Sequence, residues 1–595
     1  MSTFENLQEN QIELPRHLPQ PALIKLRTSD APRTAAQTIA EELKLSLVTA
    51  KVLVGRGLTT VEEAKSFLYP SLRDHLPDPR AILNVEAASA RILDAVSARR
   101  QVTVYTDFDV DGLSSGSQLF LFLRALGAKV NHYTPNRFTE GYGLSQEAIE
   151  TLTKAGTQLL ITVDCGVSNS REIAAAKKAG IETIIVDHHQ VHELPPADVV
   201  VDPAQEGCPF GEHELCAAGL VWMLLIVLRQ DAEKLPAFAE VSIPSPKDFL
   251  DLAALGTICD MVPLIGLNRL IASRGIEALR ETKRPGLAAL KQAAGVENKK
   301  RFGCSHVSFG LGPRINAAGR LDDPGQVFEL LTTGSQGKAK AIATKLNRLN
   351  AERKNIEEAV RQNCLDKIEK QGLAESAAFA MFGEDYHSGV IGIVAQRLVE
   401  QYHKPSAVMG PGEDGEDIVK GSVRSIRGFH VAEALQQLDD ILLKHGGHAQ
   451  AGGFSLERAN LEEFQRRFIQ CAAETLEPED YVRFRTADAE VTIQDINFDV
   501  VSELASLQPF GIGNPAPLLI ARDIRVDSVQ SLGNGHLRLR LTDGASYVGA
   551  VAWRFRGHPL LAKGKKVSIA FQAEINNYRG MSSVQLNIRE VWQDL

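Results

Sequence analysis

Thr106-Asp107-Phe108-Asp109-Val110-Asp111-Gly112 is the stretch that decides the fold of this 595-residue chain. It follows the apolar run 102–105, which indicates a buried strand, and precedes residues 113–126, whose apolar positions recur at helical spacing. Three carboxylates therefore crowd the loop at the carboxyl end of a strand, where open α/β sheets bind ligands. Because like charges this close repel one another, we interpret the loop as a cation site.

Two other interpretations of the loop are an EF-hand calcium loop and a solvated acidic turn. Asp-x-Asp-x-Asp-Gly also opens an EF-hand. The twelfth position of that motif requires a bidentate glutamate, where this chain has Gln118, and a helix must precede the loop, where this chain has a strand pattern. The solvated turn is disfavoured because further candidate ligands follow other strands of the same predicted sheet.

Strand and helix patterns alternate from residue 101 to about 205, which predicts βαβ units and a parallel sheet. Acidic residues and histidines also follow later apolar segments of the chain. The residues in these positions are Asp164, Asp187, His188, His189 and Asp260. Such a donor set suits Mn²⁺ or Mg²⁺ rather than zinc. It exceeds what one ion needs, whereas two ions about 3.5–4 Å apart, a device of phosphoryl hydrolysis, would use it.

The composition, 44% hydrophobic and 23% charged, is that of an ordinary soluble protein. No apolar run reaches the length of a membrane span. Seven scattered cysteines favour a reducing, cytoplasmic setting over a disulfide framework. Cys208, His213 and Cys216 match no common zinc pattern and lack a fourth ligand. With a net charge of -9, any nucleic-acid binding must depend on local basic surface.

The remaining segments differ in their patterns. They are a polar tail (1–20), helical patterns up to residue 100, a mainly helical stretch (216–330), a long helix (about 338–370), a second α/β segment (377–456), a helical stretch (457–477) and a period-two region (517–595). Period-two alternation separated by Gly and Asn turns predicts a small antiparallel barrel or sandwich.

The motifs of this chain resemble those of a known superfamily. Asp107-x-Asp-x-Asp-Gly, Val163-Asp164-Cys165-Gly166, Asp187-His188-His189 and Gly256-Thr257-x-x-Asp260 are similar to successive motifs of the DHH phosphoesterases. Gly312-Pro313-Arg314-Ile315-Asn316-Ala317-Ala318-Gly319-Arg320 and Gly446-Gly447-His448-x-x-Ala451-Gly452 are similar to motifs of the RecJ branch. The last motif belongs to the DHH-associated domain.

The resemblance implies an α/β multidomain protein with a DHH parallel-sheet catalytic domain, a long connector helix, a DHHA1 α/β domain and a C-terminal OB-fold β-barrel. The expected boundaries are an N-terminal tail (1–34), the DHH domain with a helical cap (35–335), the connector helix (336–372), the DHHA1 domain (373–460) and the OB-fold (461–595). We expect two α/β lobes with a cleft between them, and Gly446-Gly447-His448 facing the Asp–His cluster across it.

The implied activity is a single-strand-specific 5′→3′ DNA exonuclease of recombination and repair that hydrolyses phosphodiester bonds with two Mn²⁺ or Mg²⁺ ions. The expected metal ligands are Asp107, Asp109, Asp111, Asp164, His188 and Asp260. The expected catalytic residues are Asp164, as a bridge between the ions, with His188 and His189. Relatives often have His where this chain has Tyr105, which leaves open whether Asp107 is a ligand or orients one; Asp109 and Asp111 are preferred.

The expected substrate is single-stranded DNA, with a single-strand-binding protein and a helicase as partners implied by the family. The residues expected to bind the substrate are Arg314, Asn316, Arg320, Ser422, Arg424, His448, Arg538 and Arg540. Of these, Arg314, Ser422 and Arg424 are expected to form a pocket for a 5′-phosphate. The alternative for Arg424 is an ion pair with Glu413 or Asp414.

The barrel segment carries a local basic excess. Residues 522–595 contain eleven Lys and Arg against six Asp and Glu, a local charge of +5. The aromatic residues available there for stacking on bases are Tyr547, Trp553, Phe555 and Tyr578, each of which has a core position as its alternative.

Two other functions fit parts of the sequence. A small-substrate DHH hydrolase, such as a manganese pyrophosphatase or an oligoribonuclease, is generally shorter and has no appended OB barrel. A catalytically silent DHH scaffold of a replication complex should have lost ligands, but this chain keeps Asp164, His188, His189 and Asp260.

Overall fold

The computed structural model describes residues 21–27, 33–136, 140–141, 143–297, 302–412, 415–578 and 581–593. The helices are α1 (Arg33–Leu43), α2 (Leu47–Gly55), α3 (Val61–Leu68), α4 (Val85–Ser97), α5 (Val110–Ala125), α6 (Gln146–Lys154), α7 (Ser170–Lys178), α8 (Ala217–Ala232), α9 (Leu250–Cys259), α10 (Gly266–Arg280), α11 (Pro285–Ala293), α12 (Cys304–His306), α13 (Gly312–Leu321), α14 (Gly325–Thr332), α15 (Gln336–Lys370), α16 (Ser388–Tyr402), α17 (Val431–Gln436), α18 (Leu461–Thr475) and α19 (Phe498–Ser506). The strands are β1 (Leu23–Leu26), β2 (Gln101–Thr106), β3 (Lys129–Tyr133), β4 (Leu159–Val163), β5 (Glu182–Val186), β6 (Val199–Val201), β7 (Phe379–Phe382), β8 (Ser406–Gly412), β9 (Gly415–Arg424), β10 (Lys444–Gly447), β11 (Ala451–Glu457), β12 (Phe484–Ala487), β13 (Ala489–Glu490), β14 (Leu519–Leu532), β15 (His536–Thr542), β16 (Tyr547–Ala552), β17 (Lys566–Tyr578) and β18 (Met581–Trp592).

The chain folds into two compact units. The parallel-sheet unit comprises Tyr69–Asn355 and Pro509–Pro515. The barrel unit comprises the described residues up to Leu68 together with Ile356–Gln508 and those from Ala516 onward. The long helix α15 is continuous over 35 residues and contributes to both units.

The parallel-sheet unit is built on a five-stranded sheet in the order β3-β2-β4-β5-β6, and every neighbouring pair is parallel. Side chains of β4 alternate between two cores, with Ile161 facing helices α5 and α8 and Leu160 facing helices α6 and α7. Coverage on both faces explains why these strands are continuously apolar. The predicted parallel sheet is confirmed, and it brings the carboxyl ends of β2, β4 and β5 to one edge.

The barrel unit contains a two-stranded sheet of β1 and β12 and two larger sheets. The first, in the order β10-β11-β9-β8-β7, has α17 and α18 on one face and α16 with the last turns of α15 on the other. The second is a closed barrel of β14, β15, β16, β18 and β17, with closure by the antiparallel pairing of β14 with β17. The predicted second α/β segment and the predicted C-terminal barrel are therefore both present.

Three predicted boundaries need correction. Part of the predicted tail (1–34) is strand β1, which pairs in parallel with β12. The predicted cap helices α1–α3 belong to the barrel unit, where the Ser46 and Thr49 hydroxyls donate to Glu503. Helix α18, assigned to the OB-fold, packs Phe464 and Phe468 into the core of the preceding sheet. Each correction arises from pairing between segments distant in sequence. The polar tail identified at 1–20 lies outside the described residues.

All seven cysteines are free thiols in the structure. Within the described ranges, no helix combines the length and the apolar character needed to cross a bilayer.

Candidate active site

The acidic loop between β2 and α5 is held by its own backbone and by a second helix. Asp109 caps α5, and its Oδ1 accepts hydrogen bonds from the backbone N–H groups of Asp111 (2.8 Å) and Gly112 (3.0 Å). The two carboxylate oxygens of Asp111 accept from Ala217 N (2.7 Å) and Ala218 N (2.9 Å), the first residues of α8. The N-terminus of α8 therefore stabilises a buried carboxylate.

Gly256 allows helix α9 to approach this loop closely. A Cβ atom at Gly256 would lie 2.5 Å from Asp111 Oδ1 and 2.6 Å from Ser114 Oγ. Any larger residue would therefore displace Asp111 or the helix. The same helix carries Asp260 at its C-terminal end. The motif Gly256-Thr257-x-x-Asp260 thus places the Asp260 carboxylate at the end of α9, and the missing side chain at Gly256 leaves room for the Asp111 carboxylate.

The predicted ligands converge at this edge of the sheet. His188 Nε2 lies 3.2 Å from Asp164 Oδ1, 3.9 Å from Asp111 Oδ2 and 3.9 Å from Asp260 Oδ2. The donor atoms form three overlapping groups, each with all of its atoms within 4.8 Å of one another. The groups are Asp107–Asp109–Asp164, Asp111–His188–Asp260 and Asp164–His188–His189. Asp164 and His188 each belong to two groups. The cluster contains Asp107 as well as Asp109 and Asp111, the two aspartates preferred as ligands.

Asp164 has an unusual backbone conformation. Its φ is +64°, in the left-handed region that residues other than Gly, Asn and Asp seldom adopt. The following Gly166 has a φ of +117°, and a Cβ there would lie 2.6 Å from Thr162 Oγ1. The chain therefore turns sharply after β4, and Asp164 is the member of the cluster with a positive φ. Strain of this kind is concentrated at functional sites.

The electrostatics of the cluster fit divalent cations. Burial and the neighbouring aspartates raise the pKa of Asp111 to about 7 and that of Asp260 to about 9, and they raise the pKa of Asp164 well above its usual value. Burial lowers the pKa of His188 to about 4, so that its imidazole is neutral near pH 7 and can act as a ligand. Carboxylates that repel one another in a buried site, beside a neutral imidazole, are a donor set that a hard divalent cation would stabilise.

Asp187 contacts a histidine rather than joining the ligand groups, a role that sequence analysis did not assign to it. Its Oδ1 lies 2.7 Å from His189 Nδ1, and its Oδ2 accepts from Val167 N at 3.1 Å. Burial alone would raise the pKa of Asp187, but the hydrogen bond and charge of His189 lower it. Burial likewise opposes protonation of His189, and Asp187 outweighs it, so that the pKa of His189 is raised. Asp187 thus orients His189, whose side chain is 38% exposed.

Helix α13 carries three of the predicted substrate-binding residues: Arg314, Asn316 and Arg320. The guanidinium of Arg314 donates to Asn347 Oδ1 (3.0 Å) and to the Gly310 carbonyl (2.6 Å). Asn316 Oδ1 is buried and accepts no hydrogen bond from the described residues. Within this unit, Arg314 therefore also holds the turn before α13, a structural contact that the motif alone did not indicate.

Ser422 and Arg424 lie on strand β9 in the barrel unit. Arg424 Nη1 donates to Ser422 Oγ (3.0 Å) and to the Val423 carbonyl (2.8 Å). Helix α16 packs against the pair, since a Cβ at Gly392 would lie 2.9 Å from Ser422 Oγ. The acids offered as alternative partners, at positions 413 and 414, lie outside the described residues. Because Arg314 belongs to the other unit, the predicted joint pocket stays a prediction.

The other predicted substrate residues lie on exposed surfaces of the barrel unit. His448 follows β10 and is exposed. Arg538 and Arg540 lie on the exposed face of β15, where the Arg540 guanidinium stacks 4.2 Å from the centre of the Tyr547 ring. Tyr547 and Trp553 are 53% and 44% exposed, so a core position is excluded for both. Phe555 is half-buried, and the side chain of residue 578 lies outside the described set.

Comparison with known families identifies three domains in this chain. They are the DHH family N-terminal domain (residues 101–257), the DHHA1 domain (374–474) and the RecJ OB domain (487–590). The single-stranded-DNA-specific exonuclease RecJ of Salmonella typhimurium is 33% identical over 581 residues, covering 94% of this chain and 98% of the relative. The chain belongs to the RecJ family. RecJ of Bacillus subtilis is also 33% identical, over 94% of this chain and 70% of that protein.

Solved RecJ structures support the same assignment. RecJ from Thermus thermophilus in complex with Mn²⁺ superposes with a TM-score of 0.82 at 30% identity, covering 96% of this chain and 80% of that one. The Mg²⁺ complex of the Thermus protein gives a TM-score of 0.76 at 28% identity, covering 96% and 79%. The predicted family, the three domain types and the fold class are confirmed.

Proposed function

We propose that this RecJ family member is a single-strand-specific 5′→3′ DNA exonuclease that hydrolyses phosphodiester bonds with two Mn²⁺ or Mg²⁺ ions. The observation that carries the proposal is the convergence of six carboxylate and imidazole ligands into overlapping groups at one sheet edge. This retention of ligands favours an active enzyme over a silent scaffold. The three matched domains favour a nuclease over a small-substrate hydrolase.

The proposed ligands divide between two positions. Asp107, Asp109 and Asp164 would hold one ion, and Asp111, His188 and Asp260 the other. Asp164 would be shared between them because its Oδ1 lies 3.2 Å from Nε2 of His188, a ligand of the second position. Bound divalent cations supply an activated water and stabilise charge on the reacting phosphate. Backbone N–H groups donate hydrogen bonds to the carboxylates of Asp109 and Asp111 and hold them in place before substrate arrives. This reduces the reorganisation that binding requires.

We assign His189 to the substrate phosphate or the attacking water rather than to a metal ion. Its Nδ1 is occupied by Asp187, and this contact directs Nε2 away from the carboxylate. A partly exposed imidazole whose tautomer and orientation are set by a buried acid is suited to hold or transfer one proton at Nε2.

The proposed substrate contacts begin with the 5′ end and continue on the barrel. Ser422 and Arg424 would bind a terminal phosphate, and Arg314, Asn316, Arg320 and His448 are the other residues proposed to contact the substrate. Arg538 and Arg540 would neutralise phosphates further along the strand, and Tyr547 and Trp553 would stack on bases. An enzyme limited to single strands depends on strand separation, so a helicase and a single-strand-binding protein in the cytoplasm are its proposed partners.

The proposed function is tested by incubating the protein with Mn²⁺ and single-stranded DNA labelled at either end. Duplex DNA, pyrophosphate and a dinucleotide serve as controls. We expect early release of a labelled mononucleotide from the 5′-labelled strand and little hydrolysis of the duplex. Hydrolysis of pyrophosphate or dinucleotide without degradation of the strand would identify a small-substrate hydrolase, and inactivity on every substrate would identify a scaffold.

Replacing Arg424 with alanine should remove preference for a 5′-phosphate. We expect hydrolysis of a 5′-phosphorylated strand to slow by about 10- to 100-fold, the effect of losing a charge-assisted hydrogen bond. The same strand with a 5′-hydroxyl should slow much less. Arg424→Lys, which keeps the charge but not the planar fork, should lie between the two enzymes. Equal slowing of both substrates would mean that Arg424 serves general binding or folding.

Loss of the basic face of the barrel should lower the salt dependence of DNA binding. In Arg538→Ala/Arg540→Ala, the slope of log affinity against log salt should fall by about 0.7 for each phosphate that the protein no longer neutralises. Arg466→Ala/Arg467→Ala on α18 is the matched control, because exposed Arg466 pairs with Glu463 and half-buried Arg467 pairs with Asp440. Titrations of labelled single strands in Ca²⁺ at several salt concentrations give both slopes. Equal slopes for the two variants would show that β15 does not contact the strand.

A further inference from the structure

A short turn from late in the chain belongs to the parallel-sheet unit. The segments on both sides of Pro509–Pro515 belong to the barrel unit, whereas the turn itself packs with residues that follow α9. Gly511 and Asn514 bond to each other through both of their backbone N–H groups, at 2.9 and 3.2 Å. Asn514 is 1% exposed, and its Nδ2 donates to the Pro509 carbonyl at 2.8 Å. The turn is therefore internally braced.

The turn contacts the loop that follows the metal-ligand candidate Asp260. Leu264 N donates to the Ile512 carbonyl at 2.7 Å, which links the backbones of the two segments directly. A Cβ at Gly511 would lie 2.7 Å from Leu264 Cδ1, and a Cβ at Gly513 would lie 3.1 Å from Pro263 Cβ. Both glycines therefore permit a close approach to the loop between α9 and α10.

The loop needs such support because of its shape. Asp260 ends helix α9, and the next residue, Met261, has a φ of +67°, a conformation that a side chain disfavours. A backbone held in this region persists where surrounding contacts determine it. The turn contacts this loop two and three residues further on, at Pro263 and Leu264, and Leu264 is 3% exposed.

We propose that the Pro509–Pro515 turn is a positioning element for Asp260, holding the loop after α9 so that this carboxylate stays within reach of His188. The inference rests on the proposed function, since it takes the cluster to be a site for divalent cations. None of the residues of the turn is a ligand. Its effect on the site is exerted through the backbone of residues 261–265.

The test compares Mn²⁺ binding by full-length variants, measured by electron paramagnetic resonance of free Mn²⁺. Gly511→Ala pushes a methyl group into Leu264, and we expect it to weaken the binding of one of two ions about ten-fold, as loss of outer support to a ligand commonly does. Gly549→Ala is the control, because a Cβ at Gly549 meets nothing within 4 Å. Gly511→Ala/Leu264→Ala removes the atoms that collide and should recover much of the affinity.

Circular dichroism establishes that each variant is folded. If Gly511→Ala does not fold, Asn514→Ala, which removes the internal brace without a collision, gives the deciding measurement and should show the same weakening. Unchanged Mn²⁺ affinity in a folded Gly511→Ala or Asn514→Ala variant would overturn the inference. Failure of the proposed function is distinguishable, because the wild-type protein would then bind Mn²⁺ without degrading single-stranded DNA, or would not bind Mn²⁺ at all.

Discussion

Replacing Asp164 with asparagine should reduce hydrolysis of single-stranded DNA by at least about 10³-fold while leaving the fold intact. Asp164 is one of the three proposed ligands of the first ion, and its Oδ1 lies 3.2 Å from Nε2 of His188, a proposed ligand of the second. The substitution therefore removes a negative charge beside both proposed ion positions. Loss of one preorganised electrostatic group commonly lowers turnover by about 10²–10³-fold, and loss of a residue shared by two ions should lower it further.

Asparagine is the appropriate substitute because of the backbone. Asp164 has a φ of +64°, which asparagine tolerates better than alanine. Asp164→Ala would add conformational strain to the loss of the ligand, and its effect on turnover would be mixed with an effect on stability. We therefore expect Asp164→Asn to unfold at a higher temperature than Asp164→Ala and to bind DNA in Ca²⁺ as the wild-type protein does.

Asp198→Asn is the matched control for this prediction. Asp198 lies just before β6, and its Oδ2 accepts from Thr183 N at 2.9 Å at the opposite edge of the same sheet. The same chemical change there should leave the rate near that of the wild type. Initial rates at saturating Mn²⁺ and the Mn²⁺ stoichiometry decide the outcome. A rate within ten-fold of wild type for Asp164→Asn would remove Asp164 from its proposed bridging position.

The candidate site was largely predictable from the sequence because a parallel sheet brings distant residues together by a simple rule. Asp107, Asp164 and His188 each follow a strand, and the carboxyl ends of parallel strands share an edge. Knowing which segments were strands was enough to place Asp107 and His188 each beside Asp164. The registers between β2, β4 and β5 then fixed the distances.

The boundaries of the units were less predictable because they depend on pairing between remote segments. Leu23–Leu26 has only four residues, and its partner strand lies beyond residue 480. The amphipathic pattern of α18 predicts a helix but does not indicate which sheet its Phe464 and Phe468 cover. The Pro509–Pro515 turn contains no apolar periodicity at all, and its place beside Leu264 depends on backbone bonds that the sequence does not specify.

The part played by Asp187 shows the same limit on a smaller scale. Sequence patterns place Asp187, His188 and His189 together but do not distinguish a ligand from an orienting acid. In the structure, Asp187 accepts from Val167 N and contacts His189, whereas His188 turns toward Asp164. Two adjacent histidines thus face different partners, and this difference leads to separate expectations for their replacement.

Replacing His189 with alanine should lower turnover by about 10²–10⁴-fold, the usual contribution of a positioned acid or base, while Mn²⁺ binding is largely retained. His189 belongs to one ligand group, its Nδ1 is occupied by Asp187, and it is 38% exposed. His188→Ala provides the contrast, because His188 belongs to two groups and lies 3.2 Å from Asp164. That variant should lose both turnover and the affinity for one ion.

Asp187→Asn completes the comparison, since an amide cannot stabilise a protonated His189 as a carboxylate does. It should lower turnover less than His189→Ala does. Adding Asp187→Asn to His189→Ala should lower turnover little further, because the two residues act as a unit. Steady-state rates on single-stranded DNA at saturating Mn²⁺ and a Mn²⁺ titration of each variant separate the two effects. Equal losses of Mn²⁺ affinity in His188→Ala and His189→Ala would make His189 a metal ligand, because a residue that only orients water or phosphate leaves the donor set of both ions complete.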